Sequence, residues 1–354
     1  MKKLLTLVLA LSMVFTMFAC GEKAPTSWEV ALVTDIGMID DQSFNQAAWE
    51  GVKSYCDAND ITYKYYQPND NTAAARMEQI DGAVASGAKI VVCPGYLFND
   101  VVLDAQDKYP EIKFVILDGA PEDAKHVQRI EPNTLSIFFA EQEAGYLAGY
   151  AAVKDGYTKL GFLGGMAVPA VVRFGYGYIA GADDAAKELG LTDVEVNYGY
   201  TGVFVPTPDI QTKAAAWYKG GTEVIFTCGG GIFSSVVAAA DEASGKIIGV
   251  DSDQNHLSET FITSAMKNLT IATERALADF YAGTFEGGTS ITLSAKDGAV
   301  GLPMETSRFE TFDQAAYDVV FEAIKAGSIE LPTDADAKTA ADLKVEAIKV
   351  TVVE

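Results

Sequence analysis

Short runs rich in valine and isoleucine alternate along this chain with longer stretches of helical period, and near the middle the alternation starts again. Runs of that kind have no polar face to turn toward water, so as strands they must be covered on both sides. That requirement selects a parallel sheet whose crossover connections are helices. In the first half the pattern predicts strands over 30–35, 61–67, 89–95 and 113–118, with helices near 42–57, 72–86 and 99–108. Each strand-to-helix turn carries Gly, Asp, Asn or Pro, the residues such turns use.

After VQRIEP at 127–132, a helix over about 138–153 opens the second series, with strands over 159–165, 194–200, 223–229 and 246–251. The last hundred residues read as a helix around 257–267, a second near 271–282, and the strand-like ITLSA and KVEAIKV. A chain of 354 residues exceeds what one hydrophobic core serves, so two lobes are expected. The expected division gives residues 28–131 plus about 256–300 to an N-terminal lobe, and 132–255 plus about 301–354 to a C-terminal lobe. Each lobe is then a parallel sheet sandwiched by helices, the two-lobed α/β architecture of periplasmic-type binding proteins. Ligands of such sheets sit at the carboxyl ends of the strands, which here face one cleft.

The N-terminus carries Lys2 and Lys3, then an unbroken apolar run from Leu4 to Ala19 that is too short for a stable span. Residues 1–19 therefore read as an export signal. The small Ala19 before Cys20 and Gly21 resembles the lipobox at which bacterial lipoproteins are cleaved and lipidated, which makes 20–27 the lipidated cysteine and its linker. A plain secretory signal with an incidental cysteine is the alternative. Lipidation would supply the two or more acyl anchors that stable attachment to a membrane requires.

The net charge of −23, with 26 scattered Lys and Arg, argues against nucleic acid as a partner. Cys56, Cys93 and Cys228 match no zinc or redox spacing and read as buried small hydrophobes, so neither metal nor cofactor is expected.

Asp35, Asp118 and Asp251 each end a predicted strand, in VTD, ILD and GVD. An acid at the end of an apolar strand is costly unless donors satisfy it. Any one of them could cap a helix or bond a loop, but three in equivalent positions point to ligation in the cleft. Asp41 and Ser43 suit the start of the first helix. Phe44 then falls in its first turn, at the cleft mouth and outside the core stripe of Ala48, Val52 and Tyr55. An aromatic beside Asn45 suits the stacking of a planar ring, although position alone equally allows core packing.

Several blocks together closely resemble the basic membrane protein family of lipoproteins: GMIDDQSFNQAAWEG at 37–51, FFAEQEAGYLAG at 138–149, LGFLGGMAVPAVVRFGYGYIAGA at 160–182, IIGVDSDQ at 247–254 and ITSAMK at 262–267. The best-understood members are purine nucleoside receptors of ABC importers. The resemblance implies a periplasmic-binding-protein type I fold and a monomer held by its lipid on the extracytoplasmic face of the cell membrane. It further implies a nucleoside ligand of the adenosine, guanosine or inosine type, and ABC permease and ATPase subunits as partners. Phe44 would be one wall of a base-stacking slot, with Asn45, Asp35 and Asp118 meeting the edge of the base. Asp251 and Lys267 would hold the ribose hydroxyls. Gly230, in the CGGG run at 228–231, would let backbone approach the ligand. Phe204, in TGVFVPTPD, matches the second stacking aromatic, although Pro206 and Pro208 depart from the family pattern there.

An enzyme is the main rival class. His126 and His256 are the only histidines, and no GxSxG, P-loop or GxGxxG fingerprint is present. A sugar or autoinducer-like solute could use the same aromatic and carboxylate tools. Sugar sites, however, usually stack on Trp, and Trp28, Trp49 and Trp217 lie where a strand begins or on helices. A receptor lipoprotein without transport is the third class.

Overall fold

The computed structural model describes residues 27–353. The apolar runs pair into two sheets. The first contains β1 (Val30–Val33), β2 (Tyr63–Tyr66), β3 (Ile90–Pro94), β4 (Lys113–Leu117), β5 (Thr134–Phe139) and β11 (Thr289–Leu293), in the order β11-β5-β4-β3-β1-β2. The second contains β6 (Lys159–Gly164), β7 (Val194–Tyr200), β8 (Val224–Cys228), β9 (Lys246–Asp251), β10 (Phe261–Lys267), β12 (Val300–Gly301) and β13 (Ile348–Val352), in the order β12-β10-β9-β8-β6-β7-β13. Every pairing between these strands is parallel except β10 with β12.

The helices are α1 (Phe44–Ala58), α2 (Ala73–Ala85), α3 (Asn99–Lys108), α4 (Glu141–Lys154), α5 (Pro169–Leu189), α6 (Pro208–Lys219), α7 (Phe233–Ala243), α8 (Leu269–Ala282) and α9 (Gln314–Lys325). Because strand side chains alternate, each sheet feeds two cores. Ala31, Val33, Val91 and Phe114 meet Ile80 of α2 and Val102 of α3 on one face of the first sheet. Val30, Leu32, Val92 and Val115 face the other way, toward α1 and α8. In the second sheet Leu163, Ile225 and Ile247 pack on α6 and α7, while Phe162, Phe226 and Ile248 pack on α4 and α5. The pair α4 and α5 is unusually tight: a Cβ on Gly149 would lie 2.0 Å from the Tyr178 carbonyl oxygen.

The path between lobes departs from the expected division in three ways. Residues 134–139 form strand β5 of the first sheet, where no strand was expected: the division put them in the second lobe, and the helix expected from about 138 overlaps the last two of them. Residues 261–267 form strand β10 of the second sheet, not a helix of the first lobe. The helix Gln314–Lys325 has no counterpart in the predicted elements. TLSIFF and FITSAMK are six- and seven-residue runs, and at that length periodicity does not separate a buried strand from a helix segment. The chain thus crosses between sheets after β5, after β10 and again between β11 and β12. The crossings brace one another: the Ala140 amide donates to the Leu293 carbonyl at 2.9 Å and the Asn268 amide to the Ala299 carbonyl at 2.7 Å.

Among the described residues, no helix is long and apolar enough to cross a membrane. The export signal and Cys20 lie outside the described residues.

Candidate functional site

The carboxyl ends of β1, β3, β4, β8, β9 and β10 meet around one cavity between the sheets. All eight residues singled out in the sequence, Asp35, Phe44, Asn45, Asp118, Phe204, Gly230, Asp251 and Lys267, lie on its wall. Phe44 comes from the first lobe and Phe204 from the second. Gly95, at φ 117°, brings backbone so near that a Cβ there would sit 3.3 Å from Asp35 Oδ2 and 3.7 Å from the Phe44 ring. Asp118 and Asp251 have φ of 59° and 64°, left-handed conformations that aspartate tolerates better than most side chains. Such strain collects where a scaffold must aim a side chain.

One polar group forms around the start of α1. Asp41 accepts from the amides of Ser43 at 2.9 Å, Asn45 at 3.0 Å and Gln46 at 3.1 Å, so it performs the capping that the sequence offered to Asp41 and Ser43 together. Asn45 Nδ2 donates to Asp35 at 2.9 Å and to Asp41 at 3.2 Å. Its carbonyl Oδ1 is buried without a partner. Burial drives the carboxyls of Asp35 and Asp41 upward, that of Asp41 to about 6.

Ser43, released from capping, turns across the cleft. Its Oγ donates to Asp251 Oδ2 at 2.6 Å, and beside it Gln254 Nε2 donates to the Gln42 carbonyl at 3.0 Å. Gln254 is itself anchored, accepting from the Val250 amide at 3.1 Å while its own amide donates to Ser264 Oγ at 3.0 Å. The lobes are therefore joined by direct bonds at this edge.

A second group surrounds Lys267, which ends β10 and is 2% exposed. Its ammonium donates to Asp118 Oδ2 and, at 3.2 Å, to Glu141 Oε1; Asp251 Oδ1 lies 3.9 Å away. The rings of Phe44, Phe139 and Phe174 stand 4.9, 5.3 and 5.5 Å from it. These carboxylates outweigh burial and hold the Lys267 ammonium firmly protonated. Asp118 is buried beside another carboxylate, Glu141, and its own carboxyl is driven up to about 7 against the pull of Lys267. Asp118 thus bonds to Lys267, not to the Asp35 and Asn45 pair with which the family resemblance grouped it. Its Oδ1 is buried and without a partner.

Sequence reasoning missed Glu141, Arg173 and Phe174, and gave no role to the Ser43 hydroxyl beyond the helix start. Glu141 carries the same signal as the three aspartates, an acid just past an apolar strand, but no strand was expected over 134–139 and the helix expected from about 138 already contained it. Neither His126, which bonds Glu122 at 3.1 Å, nor His256, which bonds the Asp253 carbonyl at 3.0 Å, lines the cavity. Cys56, Cys93 and Cys228 are free and buried. Among the described residues no cluster of acids, histidines and cysteines is arranged to hold a metal ion.

The family model described as ABC transporter substrate-binding protein PnrA-like matches residues 28–334. The ABC transporter nucleoside-binding protein BmpA of Lactococcus lactis subsp. cremoris is 32% identical over 317 residues, covering 83% of this chain and 86% of that protein. Basic membrane protein A of Borreliella burgdorferi is 33% identical over 313 residues, covering 85% of this chain and 87% of that protein. Among solved structures, the solute-binding protein of an ABC transporter system from Aeropyrum pernix K1 superposes with a TM-score of 0.77 at 24% identity, over 88% of this chain and 95% of that one. The architecture is that of the type I periplasmic binding proteins.

Proposed function

We propose, because this chain belongs to the PnrA-like family of ABC transporter substrate-binding proteins, that it captures one purine nucleoside in the interlobe cavity and passes it to an ABC importer. The observation that carries this reading is the make-up of the cavity wall: an aromatic from each lobe, Phe44 and Phe204, with carboxylates gathered at the polar ends. Aromatic faces bury a planar base at about 1–3 kcal/mol per stacked ring, with little preference among bases. Selection must come from the edges. Asp35 and the free Oδ1 of Asn45 offer acceptors to ring and exocyclic N–H groups, while Asp251 and Lys267 suit vicinal ribose hydroxyls. The bond from Asp118 to Lys267 favours moving Asp118 to the ribose side. The printed name of the Lactococcus lactis relative, a nucleoside-binding protein, agrees with the ligand class.

The chain is extracytoplasmic, as its family requires, and in our reading it is tethered by a lipid on Cys20, binds as a monomer and releases its ligand chemically unchanged. Protein stripped of ligand and offered adenosine, guanosine or inosine should melt later. Binding to the native state alone adds about 2.7 kcal/mol at a hundredfold excess over Kd. Chromatography of the released ligand should return intact nucleoside. No melting shift with any of the three, nor with uridine, would defeat the nucleoside reading, and accumulation of free base would replace the carrier with an enzyme.

A further inference from the structure

Behind Lys267, away from the cavity wall, a chain of charges runs from a buried glutamate out toward the surface. Glu141 is fully buried, with Oε1 on Lys267 Nζ at 3.2 Å and Oε2 on Arg173 Nε at 2.6 Å. Arg173 Nη1 reaches Asp334 Oδ1 at 3.0 Å, on the segment between α9 and β13. Neither Glu141 nor Arg173 lines the cavity. Burying the Glu141 carboxylate and covering most of Arg173 is costly, and apolar residues of like volume often serve stability better. The pair sits where the chain first crosses between lobes, since Glu141 begins α4 directly after β5.

The two carboxylates that do line the cavity are only partly committed. Asp118 spends Oδ2 on Lys267 and keeps Oδ1 free; Asp251 spends Oδ2 on Ser43 and holds Oδ1 3.9 Å from the ammonium. With Glu141 neutral, Lys267 would have only those two to answer its charge. At 3.9 Å it needs only a small swing to close on Asp251 and occupy the oxygen that faces the ligand.

We propose that Glu141, itself held by Arg173, is a positioning residue that draws the Lys267 ammonium back from the cavity and so leaves Asp118 and Asp251 acceptor oxygens open to the hydroxyl groups of the ligand. The inference rests on the nucleoside reading of the cavity. It goes further in making a residue without ligand contact set the charge state of the ribose end. The charged and titratable groups facing Asp118 are Lys267 from β10, Glu141 from the start of α4, Arg173 from α5 and, across Lys267, Asp251 from β9; the Cys228 thiol of β8, pushed up by burial, stays neutral. Removing the Glu141 charge lowers the affinity of Asp118 for its proton, whereas removing the Arg173 charge raises it.

The test compares wild type, Glu141→Gln and Arg173→Met in the full mature protein, with inosine as the probe. Affinity is measured by calorimetry from about pH 5 to about pH 9, and the Asp118 carboxyl is titrated by carbon-detected NMR without ligand. Glu141→Gln should weaken inosine at least about tenfold and weaken 2′,3′-dideoxyinosine far less. The Asp118 midpoint should move down in Glu141→Gln and up in Arg173→Met, and the pH profile of binding should follow it. A purely structural role would lower melting temperatures in both variants and leave both midpoints in place, which would overturn the proposal. If one variant does not fold, the direction of shift in the other still decides. Failure of the wild type to bind inosine would strike the nucleoside reading, while the carboxyl titration would still decide whether Glu141 and Arg173 set the charge at Asp118.

Discussion

Replacing Asp251 by alanine separates two jobs that the structure loads onto one side chain. Asp251 is 6% exposed; its Oδ2 accepts the cross-lobe bond from Ser43 at 2.6 Å, and its Oδ1 is the oxygen we assign to the ribose. A hydrogen bond to a charged group is worth about 1.5–3 kcal/mol, and every 1.4 kcal/mol is a factor of about ten in affinity. Asp251→Ala should therefore cost at least about tenfold for the ribose contact alone, and more because the Ser43 latch is lost with it. Ser43→Ala removes only the latch. It should weaken ribo- and 2′-deoxyribonucleosides by the same factor, because a bond between lobes biases closure without regard to the sugar. Asp251→Ala should instead flatten the distinction between the two sugars. Isothermal titration of a purine nucleoside and its 2′-deoxy analogue against wild type and the two variants closes the cycle, and a coupling of about 1 kcal/mol or more is expected. If the losses from Asp251→Ala and from removal of the 2′-hydroxyl simply add, Asp251 does not meet the sugar and the assignment must move to another residue.

Gly149→Ala forces a Cβ to within 2.0 Å of the Tyr178 carbonyl, so α4 and α5 must part; overpacking of that kind costs about 1–3 kcal/mol, and a fall in melting temperature of at least about 2 °C should appear by circular dichroism. An unchanged melt would show that the helices yield freely. The pH dependence of stability should change in Asp118→Asn. The folded carboxyl titrates near 7 against 3.8 for the free group, so the folded state holds the proton more tightly, and its contribution is greatest below about 4 and is lost as pH rises to about 7. The difference in urea midpoint between wild type and Asp118→Asn should therefore move against wild type as pH rises across that window, and the opposite slope would refute the buried-carboxyl account. Cys20→Ser in the full-length chain should abolish incorporation of labelled lipid and release protein from membranes with ligand affinity intact; a labelled product from the variant would refute the assignment of Cys20.

Much of this molecule was legible in the chain itself. Parallel strands buried on both faces must be apolar throughout, so β1, β3, β4, β8 and β9 announced themselves as runs rich in Val and Ile and β6 as an apolar run of Leu and Phe, and the acids that close β1, β4 and β9 stood out because nothing apolar would tolerate them. Where burial was uniform and the run short, the signal failed: β10 read as part of a helix and β5 as no strand at all, its last two residues given to the helix that follows, and the error moved both the crossings between lobes and the acid at the head of α4 out of view. Asp35, Asp118, Asp251 and Lys267 reached one cavity because the strand ends of parallel sheets converge, whereas Phe44 and Asn45 on α1 and Phe204 in the loop after β7 reached it through the connections.

Which carboxylate meets which partner was decided only by the tertiary structure. Ser43 and Asp251 are 208 residues apart, Lys267 and Asp118 are 149 apart, and Lys267 and Glu141 are 126 apart. No local pattern encodes a pairing over such distances. Composition and period dictate where a side chain leaves the backbone, whereas the preference of a buried charge for one neighbour over another depends on desolvation and on distances of a few ångström, and these exist only once the two lobes have folded against each other.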